Sequence, residues 1–309
     1  MPEVGLEPTS LSARDFESRM FASFITRAVI MEQLYYFFVT LSTIWYNITM
    51  SKIISIVNQK GGVGKTTTAV NLAAALSEAG KFVLLIDLDP QGNATSGLGI
   101  KPDELQHGLY SVLMGLARGH DVVLNTAHAG LRVMPATADL AGANVELVNM
   151  EGRESKLSEI VSELRHAYDY IVIDCPPSLG ILTLNGLVAA EHILIPVQAE
   201  YYALEGLGQL LKTIELVKGQ IKPNLEILGA VITMFDGRNR LSGEILQELY
   251  KFFPDKIFRS VIPRTVRLAE APSFGKSVLH YEPNGKAAKA YERLAKELLS
   301  FFGEKNEVE

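Results

Sequence analysis

Lys60, Gly61, Gly62, Val63, Gly64, Lys65, Thr66 and Thr67 form one run in which two lysines bracket three glycines and two hydroxyls follow. Glycines let successive backbone N–H groups curl inward onto phosphate oxygens, and a helix starting at the end of such a loop adds its positive dipole end. In that geometry Lys65 reaches the β- and γ-phosphates of a nucleotide, and the Thr66 hydroxyl sits on Mg²⁺. Two carboxylates downstream complete the set. Asp89 lies in Asp87-Leu88-Asp89-Pro90-Gln91-Gly92-Asn93, and Asp174 follows the apolar run Tyr170-Ile171-Val172-Ile173. An Asp directly after such a run is placed to hold Mg²⁺, through a water molecule. The competing readings are a chance glycine-rich turn and carboxylates satisfied by turn N–H groups. The second suits Asp87 better than Asp89.

The elements that must position these residues are legible around them. Ile53 to Val57 is a short β-branched run that reads as a buried strand, and Thr68 to Leu76 carries apolar residues at helical spacing. Strand, glycine loop and helix is the context a phosphate-binding loop requires. Phe82–Ile86, Tyr170–Ile173, Ile193–Val197, Ile227–Met234 and Ile257–Ile262 are further continuous apolar runs, typical of strands covered on both faces. Between residues 101 and 150 the pattern predicts a helix over Leu109–Ala117, a strand at Leu131–Pro135 and a helix from Asp139. Alternation of strands and helices implies an α/β fold with a doubly wound, mostly parallel sheet, a P-loop NTPase, with ligands at the carboxyl ends of its strands. Ala288, Tyr291, Leu294, Ala295, Leu298, Leu299 and Phe302 recur at helical spacing and predict a last helix docked on the core. No repeat or linker interrupts residues 50–309, which read as one domain.

Composition narrows the function classes. The chain of 309 residues is 48% hydrophobic and 21% charged, the balance of an ordinary globular protein. A single cysteine, Cys175, excludes an intramolecular disulfide framework and argues against a shared iron–sulfur cluster, which needs two cysteines per subunit. The formal net charge of −6 gives no global attraction to DNA or anionic lipid, so polyanion binding must come from a local patch. Residues 1–49 stand apart. Gln33 to Ser51 carries no charge and is crowded with Tyr35, Tyr36, Phe37, Phe38, Trp45 and Tyr46, but Ser42, Thr43, Asn47 and Thr49 weaken it as a membrane span. Three readings fit this extension: translation that begins at Met50, a membrane anchor, and an interaction segment. The first is the expectation.

The run Lys60-Gly61-Gly62-Val63-Gly64-Lys65-Thr66-Thr67 departs from the common phosphate loop, having Gln59 where a glycine is usual. It resembles the deviant Walker A motif of the ParA/MinD class of ATPases. The segment from Asp87 to Asn93 resembles that class's switch I, and Asp174-Cys175-Pro176-Pro177 its Walker B and switch II. Pro263-Arg264-Thr265-Val266-Arg267-Leu268-Ala269-Glu270-Ala271-Pro272 is similar to the matching Soj-type run, with Thr265 in place of Asn.

The resemblance implies a ParA/Soj-type partitioning ATPase using ATP and Mg²⁺. In that reading Lys60 reaches across an ATP-dependent homodimer to the partner's nucleotide, and Asp89 orients or activates the attacking water. Pro263 and Arg264 lie near the nucleotide base, and Arg238 and Arg267 bind DNA without sequence preference. Hydrolysis is speeded by a ParB-type protein, and the location is cytoplasmic, on the nucleoid. The Soj-like run Gln198–Gly206 carries two carboxylates, Glu200 and Glu205, that fall near the expected dimer face or cap a helix. Two alternatives stand beside this one. A MinD-like membrane-positioning ATPase is opposed by the acidic tail Glu304–Glu309; a small-molecule synthetase would need further acid/base residues.

Overall fold

The computed structural model describes residues 31–37, 51–200, 203–238 and 256–304, with six further positions between 247 and 254. Most of the aromatic run in residues 38–50, Tyr201 and Tyr202, and the tail from Lys305 lie outside the described residues. By internal contacts the chain divides into Met1–Met50 and Ser51–Glu309. In the first unit residues 31–37 are helical and exposed. Among the described residues no helix is long and apolar enough to cross a membrane.

Among its described residues the second unit is built on one eight-stranded sheet in the order β3-β4-β2-β5-β1-β6-β7-β8. Its strands are β1 (Lys52–Ile56), β2 (Val83–Asp87), β3 (Leu124–Asn125), β4 (Leu131–Met134), β5 (Tyr170–Asp174), β6 (His192–Gln198), β7 (Glu226–Phe235) and β8 (Ile257–Pro263). All pairings are parallel except the short β3 against β4. The central strands read as unbroken apolar runs because both faces are buried, and their alternation divides the side chains between two cores. Ile53, Leu84, Ile86, Ile171 and Ile173 enter one core. Ile54, Ile56, Leu85 and Val172 enter the other.

Helices cover both faces. On one side lie α1 (Lys65–Glu78) and the last helix, Lys286–Phe301, which buries Ala288, Tyr291, Leu294, Ala295, Leu298 and Leu299 as its spacing predicts. Small residues at Ala69, Ala73 and Ala74 let α1 sit close on the sheet. On the other side Lys156–Leu164 and Ile181–Ala189 contribute Leu157, Val161, Leu182 and Leu187 to the first core. The expected helix over Leu109–Ala117 is shorter, Leu109–Leu113, because Gly115 turns to φ 72° just beyond it. The expected strand and helix that follow are Leu131–Met134 and Leu140–Glu146. The first residue of the acidic tail is folded against the body: Glu304 pairs with Lys81 at 2.7 Å and accepts from the Tyr170 hydroxyl at 2.8 Å.

Candidate nucleotide site

The phosphate-binding run joins β1 to α1, and two of its glycines are required by backbone geometry. Gly62 and Gly64 have φ of 75° and 87°, left-handed values that a residue with a Cβ adopts only under strain, and Gly64 caps α1. The loop is tied down from three sides. Thr233 Oγ1 donates to the Val63 carbonyl at 2.7 Å, Lys60 N–H to Asn58 Oδ1 at 3.0 Å, and Asn58 Nδ2 to the Pro196 carbonyl at 2.7 Å. Lys65 folds back so that its Nζ donates to the Lys60 carbonyl at 2.9 Å. Burial lowers the pKa of its ammonium, and the neighbouring Asp174 and Asp89 oppose that shift.

Sheet register brings the carboxylates to this loop. Asp174 at the end of β5 is paired in register with Ile56 of β1 and Asp87 of β2. Asp174 is fully buried and both its oxygens lack a hydrogen-bond partner. Burial first, then Asp87, pushes its pKa well up, while the Thr66 hydroxyl and Lys65 pull the other way. A desolvated, unpartnered carboxylate beside a hydroxyl and an ammonium is a poor structural element and a good cation ligand. Thr66 and Asp174 therefore fit a hard dication.

Asp87 has a structural task. Its Oδ2 accepts from Thr95 N–H at 2.8 Å and from Thr95 Oγ1 at 2.7 Å, and Thr95 Oγ1 in turn accepts from Ala136 N–H at 3.0 Å. This chain binds the end of β2 to the short helix Asn93–Gly97 and the exit of β4. Burial still pushes the pKa of Asp87 up to about 6. Asp89 lies beyond it in the turn, 8% exposed, its Oδ1 accepting from Gln91 N–H at 3.0 Å.

A pocket of about 290 Å³ opens beside the loop, lined by Gly64, Thr67, Thr233, Met234, Pro263 and Arg264 among others. Pro263 and Arg264 are thus brought to the same cavity as the phosphate-binding run. Met234, at φ 51°, is the non-glycine residue with positive φ among the described residues, and backbone strain of this kind concentrates at ligand sites. Thr233, Met234 and Tyr291 were read only as parts of a strand and of the last helix, since a strand end and a distant helix give no local signal of a shared cavity. The reading also missed that Lys60 forms an ion pair with Glu200 of the same chain. Each side chain is about a third exposed.

The two arginines assigned to DNA lie at the carboxyl ends of the neighbouring strands β7 and β8, where Arg264 N–H bonds the Phe235 carbonyl at 3.0 Å. Both are engaged within the chain. Arg238 contacts Asp236 at 2.8 and 2.9 Å and holds that carboxylate down to about 2. Arg267 meets Glu270 at 2.9 Å and Glu282 at 3.3 Å.

The chain is 51% identical over 249 residues to the sporulation initiation inhibitor protein Soj of Bacillus subtilis, covering 81% of this chain and 98% of that one. It is 50% identical over 251 residues to the chromosome partitioning protein ParA of Myxococcus xanthus, covering 81% and 89%. The chain belongs to the ParA/Soj family of partitioning ATPases. A family model described as an AAA domain matches residues 51–227, which hold the loop and both carboxylates but not Arg264 or Arg267 of this ParA/Soj chain. Among solved structures, one titled cobyrinic acid a,c-diamide synthase from Mycobacterium smegmatis, with bound ADP and magnesium, superposes with a TM-score of 0.74. It is 38% identical and covers 82% of this chain and 96% of its own.

Proposed function

We propose that residues 50–309 form a Mg²⁺-ATP-driven switch that partitions chromosomal or plasmid DNA. In this reading ATP draws two copies into a dimer, the dimer holds DNA without reading its sequence, and hydrolysis releases it. The observation that carries the reading is the buried, unpartnered Asp174 facing Thr66 and Lys65 at the mouth of a glycine loop opened by Lys60. Mg²⁺ would be held by Thr66 and, through water, by Asp174, and supplies neutralisation of charge on the β- and γ-phosphate oxygens.

The chain's own residues do the rest. Backbone N–H groups from Gly61 to Thr67 cradle the phosphates, and Lys65 exchanges its bond to the Lys60 carbonyl for a phosphate oxygen. The cavity at Pro263 and Arg264 receives the base. Lys60, released from Glu200, reaches the partner copy's nucleotide, and Asp89 orients the attacking water. The γ-phosphate orders the segments after β2 and β5 only in the triphosphate state, which is the physical content of the switch. A ParB-type protein accelerates turnover, and the protein works in the cytoplasm on the nucleoid. A synthetase would need acid/base groups lining a substrate pocket. The cavity beside the loop offers Arg264 and the Tyr291 hydroxyl, and the latter is turned to Thr68 at 3.4 Å.

DNA binding is tested by filter binding over a salt series with ATP and with ADP. With ATP, log affinity should fall against log salt with a slope of about −0.9 per phosphate contact. Arg267→Glu should flatten that slope by roughly two units for a dimer, because each copy loses one contact. It should also leave Glu270 and Glu282 without their cation and weaken affinity further. Equal binding with ADP would contradict the switch, and an unchanged slope would put the DNA surface elsewhere.

A further inference from the structure

Away from the nucleotide site, three side chains from distant parts of the sequence meet at the far end of α1. Glu78 is the last residue of that helix, His128 lies in the loop between β3 and β4, and His280 belongs to the short helix Val278–Tyr281. One carboxylate oxygen and one ring nitrogen from each histidine all lie within 4.8 Å of one another. The imidazoles stack with centroids 3.6 Å apart and planes 22° apart, and His280 Nε2 stands 3.7 Å from Glu78 Oε1.

His128 decides what the cluster is for. It is 4% exposed, and its Nδ1 has no hydrogen-bond partner. Its backbone is pinned: the N–H donates to Thr126 Oγ1 at 3.1 Å, and the carbonyl accepts from Leu131 N–H at 3.2 Å. A buried polar nitrogen left without a partner is desolvation with nothing to offset it. Burial, and then His280, lowers the pKa of His128 to about 4, while burial and Lys276 lower that of His280. Imidazole binds metals in its neutral form. Burial and the nearby Glu292 raise the pKa of Glu78.

We propose that Glu78, His128 and His280 form a binding site for a transition-metal dication of the zinc class. Two imidazole nitrogens and one carboxylate oxygen are a borderline donor set that suits Zn²⁺, whereas Mg²⁺ and Ca²⁺ take oxygen ligands. Three protein ligands leave a fourth position for water. Tetrahedral zinc with bonds of about 2.0–2.1 Å sets its ligand atoms about 3.3 Å apart, so the cluster must contract and the stack must open. His280 is the ring that turns, being 38% exposed on its side chain, while His128 is held. The ion would tie the end of α1 to the segment that follows Arg267. The 14 residues of α1, a length of about 20 Å, keep it apart from the Mg²⁺ of the nucleotide site.

The test is a Zn²⁺ titration of the tag-free, nucleotide-free full chain in competition with a chromophoric chelator at pH 7.5, with Mg²⁺ alone as control. Thermal unfolding is followed in parallel. One Zn²⁺ per chain is expected, with a rise in Tm that Mg²⁺ does not reproduce. His280→Ala and Glu78→Gln, both at the surface, should keep their fold and lose affinity by at least about tenfold, the loss that even an outer partner of a metal ligand causes. Absence of Zn²⁺ uptake, an equal response to Mg²⁺, or wild-type affinity in both variants would overturn the proposal.

Discussion

Asp87 and Asp89 stand two residues apart and differ in what holds them. Asp87 gives one oxygen to both donors of Thr95 and the other to the Asp89 N–H at 3.3 Å, so it is consumed by structure. Asp89 holds a turn bond to Gln91 inside its own loop, worth about 1 kcal/mol, at the edge of the nucleotide site. Asp89→Ala should leave ATP affinity within about threefold of wild type and slow hydrolysis by roughly 10²–10⁴, the range general-base assistance supplies. Single-turnover kinetics with a parallel ATP titration measures both, and wild-type turnover would return Asp89 to turn structure. Lys60 makes a similar point. Its pair with Glu200 is partly solvated and contributes only about 0–1 kcal/mol, so leaving it for a phosphate costs little.

Between elements, the junction of β2 and β5 places two buried carboxylates side by side. Asp87 has a folded pKa of about 6 against an ordinary 3.8. The folded state therefore holds a proton that the unfolded state releases over that window. The stability this contributes is present below about pH 4 and lost as pH rises past 6. Asp87→Asn keeps an acceptor toward Thr95 and removes the titration. In Mg²⁺-free urea unfolding it should flatten the decline between pH 4 and 6, while the acceptor lost to the Asp89 N–H offsets part of the roughly 3 kcal/mol that removing the shift returns at pH 7. An unchanged pH profile would contradict the assignment. Such junctions also mark what could be read in advance. The long strands were legible because two-sided burial writes them as apolar runs. The two-residue β3 has no such run, and Gly115 cut a helix that apolar spacing alone extended to Ala117. The glycine loop and Asp174 were legible as a motif on neighbouring elements. The resemblance had already pointed to Pro263 and Arg264, but the contributions of Thr233, Met234 and Tyr291 to the cavity beside the loop, and the Lys60–Glu200 pair, join residues more than 130 positions apart and leave no local trace.

For the whole molecule, a formal charge of −6 means that the chain repels DNA and repels its own copy except through local cations. Arg238 and Arg267 sit at adjacent strand ends but are matched by Asp236, Glu270 and Glu282, so one copy offers a polyanion little. Two copies held together double the contacts and make the salt dependence steep, so DNA binding hinges on dimerisation in the proposed switch. The deciding measurement is sedimentation of the chain with Mg²⁺-ATP, with Mg²⁺-ADP and without nucleotide, for wild type and Lys60→Ala. The account predicts twice the 33.9 kDa of one chain only for wild type with ATP, while Lys60→Ala still binds ATP and sediments as a single chain. A single-chain mass for wild type with ATP, or a doubled mass for Lys60→Ala, would contradict it.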